Sequence, residues 1–465
     1  MRRTLAIARL TMKGAFRVKA FIMLLGFLLV TVVVLPLTVK GDGTVRGHVQ
    51  VLLSYSLGIS CAILSLATMW LSCDTLCRDV DDYHIQLVAT KPIPRWQIWL
   101  GKWLGIMALN ALLLGIVGLV VYGLLLWTTR PGQLTKLERQ ELVNEVLVAR
   151  TQVTPNMPDV SAEVEKQYQE RKTKGDIPGD LSVSEFREQL EHNLLTKRYT
   201  APNMGTVRWV FKGITLDRKS SAPLYLRFKH FTSVRPPKEQ VWGQWRIGEP
   251  GSPNLHVEQV AFRPDSFHEI SAPASALSAD GTLTVEYSNI DQFLTTVVFP
   301  LEDGMEVLYR VGSFGGNYLR SLLLLFIPLG LLAAIALCAG SFLTFPVAVF
   351  VCMSYLYLVL LSGPLEGVVQ QSRIIQKHSH GETQQKYTKL ADTMDSVVRY
   401  LIRGGLYLTS SVRSHNPVGD LVVGRVVGWA EVAKVCLSVL CLQGGLFALL
   451  GMGLLTRREL AALQR

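Results

Sequence analysis

The feature that most constrains this chain is a set of long apolar stretches near both of its ends. About 20 apolar residues are needed to cross the hydrocarbon core of a bilayer as a helix. Six stretches approach this length, at residues 21–39, 49–71, 104–127, 319–343, 347–362 and 432–455. The sequence therefore predicts a polytopic α-helical membrane protein with six transmembrane helices.

The net charge of +11 is unevenly distributed along the chain. Residues 130–310 carry acidic and basic side chains in nearly equal numbers, so the positive excess flanks the apolar stretches. Basic residues beside a span mark its cytoplasmic end. We therefore expect membrane lipid as a partner and no nucleic acid. Before the first span, basic residues alternate with Leu5, Leu10 and Phe16, which predicts an amphipathic helix on the cytoplasmic membrane surface.

The basic flanks predict that both termini are cytoplasmic and that the middle of the chain is extracytoplasmic, as in a multi-pass protein of a bacterial inner membrane. Gly340 and Pro346 interrupt a long apolar stretch and predict a turn between two spans. Residues 1–128 are predicted to contain spans one to three, with a cytoplasmic loop at residues 72–103. Two regions, residues 129–204 and residues 205–316, are predicted to lie outside. Spans four and five follow in residues 317–363, an external loop with helices in residues 364–431, and the last span with a cytoplasmic tail in residues 432–465.

The middle of the chain is predicted to be an inserted α+β domain without disulfides, since it has no cysteine. In residues 129–204, apolar residues such as Phe186, Leu190 and Leu194 recur at helical spacing. In residues 205–316, short alternating runs are separated by Pro, Gly, Asn and Asp, which is typical of a β-sandwich. The runs lie at 207–211, 224–228, 241–245, 283–287, 296–299 and 307–309.

The predicted loop at residues 72–103 has amphipathic pieces that a simple connection between two spans does not need. An acidic start at Asp82 leads to a short apolar piece around Leu87, a break at Lys91 and Pro92, and a second piece that runs into the third span. Amphipathic pieces on both sides of a proline are suited to docking in the groove of a partner.

Here the chain resembles the ABC-2-type permease family, whose loop between the second and third spans has a coupling helix, then Lys-Pro-x-x-Arg, then Gly-Lys. The matching residues are Lys91, Pro92, Arg95, Gly101 and Lys102. Asn416-Pro417, Gly428-Trp429 and the closing Arg457-Arg458-Glu459-Leu460 are similar to the carboxyl-terminal pattern of that family. The resemblance covers the spans and their flanks, and the large middle domain departs from it.

The resemblance implies a permease subunit of an ATP-driven transporter, exporter-like, working with a second permease copy or a related permease chain. The sequence has no Gly-x-x-x-x-Gly-Lys-Ser/Thr loop for nucleotide phosphates, so ATP is expected on a separate ABC ATPase. No catalytic, cofactor or metal residues are expected in this chain, which is not predicted to be an enzyme. The predicted ATPase-coupling residues are Asp82, Leu87, Lys91, Pro92, Arg95, Trp96 and Lys102.

Two further sets of residues are candidates for binding. Asn110 and Gln443 are polar residues inside spans and are candidates for a substrate path. The predicted sandwich resembles jelly-roll domains of the galactose-binding type, and Trp242 and Trp245 are candidates for stacking on a ligand. These two tryptophans are three positions apart, so they should face opposite sides of one strand.

The sequence leaves a second function open. In this alternative, the chain is a membrane-anchored binding module that captures a polysaccharide or a partner protein without transport. The sequence does not decide the substrate, or whether two identical permease chains or two related ones work together.

The predicted orientation is tested by cysteine labelling in intact cells. In a chain without native cysteines, Ser252→Cys should react with an impermeant thiol reagent, because residue 252 is predicted to be outside. Gln464→Cys should react only after permeabilisation. Labelling at residue 464 but not at 252 reverses the predicted topology.

Overall fold

The computed structural model describes residues 2–17, 19–39, 43–81, 94–130, 146–174, 183–216, 222–234, 239–293, 295–370 and 415–457, and single residues or short pieces at 135–143, 176, 236 and 398–409. The chain divides into two compact units. Residues 1–148 and 313–465 form the helical unit, and residues 149–312 form the sandwich unit.

In chain order, the first elements are α1 (Arg2–Arg17), α2 (Lys19–Thr38), α3 (Val45–Asp81), α4 (Arg95–Thr128), β1 (Val148–Val153), α5 (Ser161–Thr173), α6 (Val183–Arg198), β2 (Thr200–Ala201), β3 (Thr206–Phe211), β4 (Leu224–Lys229), β5 (Phe231–Thr232) and β6 (Val241–Ile247). Then follow β7 (His256–Phe262), β8 (Phe267–Ala272), β9 (Leu283–Asn289), β10 (Val297–Val298), β11 (Met305–Ser313), α7 (Phe314–Gly340), α8 (Phe345–Gln370), α9 (Pro417–Val422), α10 (Trp429–Val435), a π-helical segment (Cys436–Gly444) and α11 (Gly445–Arg457).

Among the described residues, five helices are long and apolar enough to cross a membrane, so the chain is a membrane-embedded protein. They are α3, α4, α7, α8 and the stretch from Trp429 to Arg457. A sixth span exists only if α1 and α2, which meet at a bend of 73°, are taken as one. Among the described residues, the predicted number of six is therefore an upper limit, because the part of α2 from Ile22 to Pro36 counts as a span only together with α1.

Helix α7 lies at the centre of the helical unit. In its most apolar window 78% of the residues are buried, against 17% in α8. It packs against α3, α4, α8 and α11. The chain leaves α7 after Gly340 and begins α8 at Phe345, which confirms the predicted turn between these two helices.

The sandwich unit contains two four-stranded sheets with strand orders β1-β11-β4-β8 and β3-β9-β6-β7. Their inward-facing side chains form one core, in which Phe211, Trp245 and Val285 of one sheet meet Phe228 and Val307 of the other. A small sheet of order β2-β10-β5 accompanies them. The predicted β-sandwich is confirmed, and each of its six predicted strands is present.

Five of the eleven described strands were not predicted from the sequence: β1, β2, β5, β7 and β8. Strand β1 lies in the region that was predicted to be helical, so the predicted boundary at residue 205 excludes part of the sandwich. The Arg150 guanidinium, on β1, makes two bonds of 3.0 and 3.2 Å to the Glu269 carboxylate on β8, and both side chains are buried. Arg150 also lies 5.1 Å from the ring of Tyr225. A buried carboxylate without such a partner is unfavourable.

Helices α5 and α6 pack together through the predicted helical spacing. Phe186 and Leu190 of α6 pack with Val164 and Tyr168 of α5 in a small core. The spacing of Phe186 and Leu190 predicted α6 because residues four positions apart lie on the same face of a helix, and here that face is buried.

The boundary of the sandwich unit can be tested with two fragments. A fragment of residues 149–312 should be soluble and show strand-type circular dichroism. A fragment of residues 205–312 should be less stable by about 3–5 kcal/mol or fail to fold, because Glu269 stays buried without Arg150.

The contribution of the Arg150–Glu269 pair to stability is measured by urea unfolding of the longer fragment, with a second ion pair as the control. Arg150→Met should lower its free energy of unfolding strongly, whereas Glu165→Gln, which breaks an exposed pair with Arg187, should cost less than about 1 kcal/mol. Equal stability of the two fragments contradicts the assignment of β1 to the sandwich.

Candidate functional site at the start of helix α4

The first turns of α4 are in close contact with the N-terminal helix α1. A Cβ added to Gly101 would lie 2.7 Å from the Ile7 Cβ atom, and one added to Gly105 would lie 2.7 Å from the Ala8 carbonyl oxygen. Glycines four residues apart let two helices approach to this distance. Gly101 and Gly105 thus form the surface on which α1 packs.

Helix α1 has distinct faces. Thr4, Ala8 and Ala15 are buried in the helical unit. Leu5 and Leu10 are exposed, together with the basic residues Arg2, Arg3, Arg9, Lys13 and Arg17. A helix with exposed leucines beside basic residues is suited to the boundary between acyl chains and headgroups. The amphipathic character predicted from the sequence is thus present in the folded helix.

Lys102 connects α4 to α3. Its side chain is only 3% exposed. The Nζ atom donates a hydrogen bond of 2.7 Å to the Thr75 carbonyl oxygen and forms an ion pair with the Asp79 carboxylate. Thr75 and Asp79 are one turn apart on α3, so both acceptors reach the same ammonium group.

Arg95 connects the first residue of α4 to the end of α11. Its Nη1 atom donates hydrogen bonds of 2.9 Å to the carbonyl oxygens of Leu455 and Thr456. The last carbonyls of a helix have no partner within the helix, and a cation there also interacts favourably with the helix dipole. Arg95 is therefore a C-terminal cap of α11.

Three residues of the Lys-Pro-x-x-Arg and Gly-Lys pattern thus contact three different elements. Arg95 contacts α11, Gly101 contacts α1 and Lys102 contacts α3. We call the region from Arg95 to Gly105 the α4 hub.

The α4 hub corrects part of the predicted coupling surface. Lys102 was predicted to dock on a partner, but it is enclosed between two helices, and the Arg95 guanidinium binds α11. Trp96 is 46% exposed and remains available for docking. The predicted loop at 72–103 is also shorter than expected, since α3 continues to Asp81 and α4 begins at Arg95. The predicted coupling residues outside the described part of the chain are Asp82, Leu87, Lys91 and Pro92.

The two polar residues predicted for a substrate path lie on different elements. Asn110 is buried on α4, and its Oδ1 atom lies 3.0 Å from Thr68 Oγ1 on α3. Its Nδ2 atom has no hydrogen-bond partner among the described residues. Gln443 is partly buried in the π-helical segment.

A separate cavity of about 480 Å³ lies in the helical unit, and neither Asn110 nor Gln443 lines it. Its walls come from α3, α7, α8, α9, α10 and the two residues before α9. They are mostly apolar, with polar groups from Ser65, Tyr355, His415 and Asn416. The Tyr355 hydroxyl is buried without a hydrogen-bond partner among the described residues. No local sequence pattern indicates this cavity, because its walls come from distant parts of the chain.

In the sandwich unit, the two candidate tryptophans face opposite sides of β6 as predicted. Trp242 is 50% exposed, whereas Trp245 is 1% exposed. The ring centroid of Trp245 lies 4.3 Å from that of Phe228 and 4.8 Å from that of Tyr287. Trp245 is therefore a core residue, and the prediction that it stacks on a ligand is wrong.

His230 and His268 are adjacent in the sandwich unit, with ring centroids 6.1 Å apart. Burial, with a smaller effect of His268, lowers the pKa of His230 to about 4. Burial also lowers the pKa of His268. Both rings are neutral at neutral pH and pack as aromatic groups near Phe228. Among the described residues, no three His, Cys, Asp or Glu side chains are grouped as metal ligands.

The fold and these sites define a helical membrane protein with a β-sandwich unit. The chain matches no protein-family model, no curated protein and no solved structure.

The ion pair at the α4 hub is expected to respond asymmetrically to substitution. Asp79→Asn leaves the enclosed Lys102 ammonium without its counter-charge and should lower stability by about 3 kcal/mol or more. Lys102→Met should lower it by only about 1 kcal/mol, because the side chain of Asp79 is one-third exposed and can be hydrated. Thermal unfolding of the detergent-solubilised protein measures both effects.

The double variant Asp79→Asn/Lys102→Met serves as the control. It should be about as stable as Lys102→Met alone, since no charge remains enclosed. Additive losses in the double variant contradict a direct pair.

Proposed function

We propose that this chain is the permease subunit of an ATP-driven transporter of the ABC-2 type, exporter-like, which couples to a separate ABC ATPase through residues 82–96. The observation that carries the proposal is the α4 hub. Arg95, Gly101 and Lys102 connect the end of this segment to α11, α1 and α3. A force applied to the segment therefore acts on three helices at once.

The lengths of the helices are compatible with this mechanism. Helix α3 has 37 residues and α4 has 34. At 1.5 Å per residue, each is about 50 Å long, whereas the hydrocarbon core is about 30 Å thick. Both helices can therefore extend beyond the bilayer, so that Asp81 at the end of α3 and Arg95 at the start of α4 can lie within reach of a soluble ATPase.

The proposal includes the finer features expected from the sequence. These are six spans with α2 as the first and α1 as an amphipathic helix on the cytoplasmic membrane surface, a second permease copy or a related permease chain, a jelly-roll-like sandwich on the extracytoplasmic side, and a bacterial inner membrane. ATP is bound by the partner ATPase and not by this chain. The mostly apolar cavity near Pro328 and Tyr355 favours an amphiphilic substrate with a substantial apolar part.

Trp96 is the residue of this segment that best suits direct contact with the ATPase. Large aromatic residues are enriched at the centres of protein interfaces. An exposed tryptophan at a helix end can also belong to the aromatic belt at a membrane surface. Trp127 is exposed at the opposite end of the same helix, so the pair distinguishes these two roles.

The alternative of a membrane-anchored binding module without transport is favoured by one observation in the sandwich unit. Trp242 is exposed and lines a pocket. In that case, no ATPase associates with residues 82–96.

The proposed coupling is tested by purifying the detergent-solubilised protein and identifying the chains that co-purify. An ABC ATPase should be present, and its hydrolysis should respond to the permease. Trp96→Ala should lower the amount of bound ATPase about tenfold, as for a central interface aromatic. Leu87→Pro should also disrupt docking, since a proline inside the predicted coupling helix costs roughly 3 kcal/mol.

Trp127→Ala is the matched control and should retain the ATPase. All three variants should insert in the membrane at the level of the unmodified protein. If no ATPase co-purifies, or if Trp96→Ala and Leu87→Pro both retain it with full activity, the binding-module alternative replaces this proposal.

A further inference from the structure

Helix α7 is buried along most of its length, but its first turns have one exposed stripe. Gly316, Leu319 and Leu323 are exposed, and Arg320 is partly exposed. Residues three and four positions apart lie on the same face of a helix. These four residues therefore form one continuous surface, which we call the Arg320 stripe.

The Arg320 guanidinium contacts a backbone carbonyl and an aromatic ring. Its Nε atom donates a hydrogen bond of 3.0 Å to the Gly316 carbonyl oxygen. Its Cζ atom lies 5.9 Å from the centroid of the Trp429 ring, and Trp429 is itself 62% exposed. Within the described part of the chain, no carboxylate pairs with Arg320. A guanidinium carries N–H donors on all three nitrogens, so those on the two Nη atoms remain available to a ligand.

Arg320 lies near the surface of the bilayer. Helix α7 has 27 residues and is about 40 Å long, about 10 Å more than the hydrocarbon core. Arg320 is six residues after the start of α7 at Phe314, or about 9 Å along its axis. If half of the excess length lies at each end, the backbone of Arg320 is about 4 Å inside the core, and its long side chain can reach the headgroups. The exposed Trp429 ring beside it is typical of the same level.

The Arg320 stripe is separate from the basic surface of α1. Helix α1 packs on Gly101 and Gly105, near the start of α4. Tyr318, two residues before Arg320, instead donates a hydrogen bond of 2.9 Å to the Gly118 carbonyl oxygen. Gly118 is 13 residues beyond Gly105, which is about 20 Å along α4. The stripe thus lies towards the other end of the helical unit, away from the cations of α1.

The order of groups along the stripe matches a phospholipid. A cation on a lipid-facing surface is unfavourable in hydrocarbon unless an anion or water reaches it. A phospholipid has its phosphate at the headgroup level and its apolar acyl chains directly below. Arg320 is likewise followed by the exposed Leu323 on α7, and Trp429 by the exposed Leu437 on the adjacent π-helical segment. The fork of N–H groups in a guanidinium matches two oxygens of one phosphate.

We infer that the Arg320 stripe binds an anionic phospholipid, with the lipid phosphate on the Arg320 guanidinium and an acyl chain along Leu319 and Leu323. Phosphatidylethanolamine also has a phosphate, but its ammonium needs a counter-charge. Glu431, the carboxylate nearest to Trp429 in the sequence, contacts His415 at 3.8 Å and lies about 200° from Trp429 round α10. A headgroup without an amine, as in phosphatidylglycerol, needs no such partner. The inference does not depend on the proposed transport function.

The test is native mass spectrometry of the full chain, purified in detergent and titrated with phosphatidylglycerol or with phosphatidylethanolamine of the same acyl chains. The method counts bound lipid molecules, so the loss of one site is visible even when α1 also binds lipid. Phosphatidylglycerol should bind more tightly than phosphatidylethanolamine. Arg320→Gln should weaken the binding of one phosphatidylglycerol molecule about tenfold, because a charge-assisted hydrogen bond is lost. Arg320→Lys should restore part of it, since an ammonium keeps the charge without the fork.

Lys434 provides a matched control. It is exposed five residues after the start of α10, so it lies at a similar depth on the neighbouring helix. It is also about 140° from Trp429 round that helix, away from the stripe. Lys434→Gln should therefore leave the number and affinity of bound lipids unchanged. Inorganic phosphate at about 10 mM should not displace the lipid, because it has no acyl chain to cover the leucines.

The inference is overturned if Arg320→Gln binds phosphatidylglycerol as well as the unmodified protein does, or if Lys434→Gln weakens the binding equally. Equal affinities for the two lipids contradict an anionic headgroup. Displacement by inorganic phosphate identifies a site for a soluble anion in place of a lipid. A lower thermal midpoint of Arg320→Gln with unchanged lipid binding assigns Arg320 a structural role only.

Discussion

The enclosed ammonium of Lys102 imposes the strictest condition on the helical unit. A charge between two membrane helices is unfavourable unless a counter-charge and hydrogen-bond acceptors reach it. Asp79 and Thr75 meet this condition from a single face of α3. The register of α3 against α4 is thereby determined, since a shift of one residue moves both acceptors away from Lys102.

The other contacts of the α4 hub depend on this register. Once α4 is placed against α3, Gly101 and Gly105 present a flat surface to α1, and Arg95 reaches the last carbonyls of α11. Small residues and capping cations are common ways to join helices in a membrane protein. In this chain, the capping arginine and the two glycines lie within the first three turns of α4, directly after residues 82–94. This concentration of contacts is the physical basis of the proposed coupling.

The buried polar and charged side chains of the sandwich unit are satisfied to different degrees. Arg150 and Glu269 neutralise each other in a buried pair, and Asn289 uses both ends of its amide to hold the chain after β9. Asp291 is buried nearby, yet one of its oxygens has no donor among the described residues. The exposed Trp242 and Phe293 lie at the same place.

Local patterns in the sequence determined the membrane class, the turn between α7 and α8, six strands of the sandwich and the opposite orientations of Trp242 and Trp245. Each of these depends on hydrophobic periodicity or turn residues within a short window. Only the tertiary structure decided that β1 joins the sandwich, that Lys102 is enclosed, that Arg95 caps α11 and that Asp291 lines a pocket. The partner of Arg95 lies 360 residues away in the chain. A sequence specifies such contacts only through the packing of whole elements, because no local propensity records which distant residue a side chain will meet.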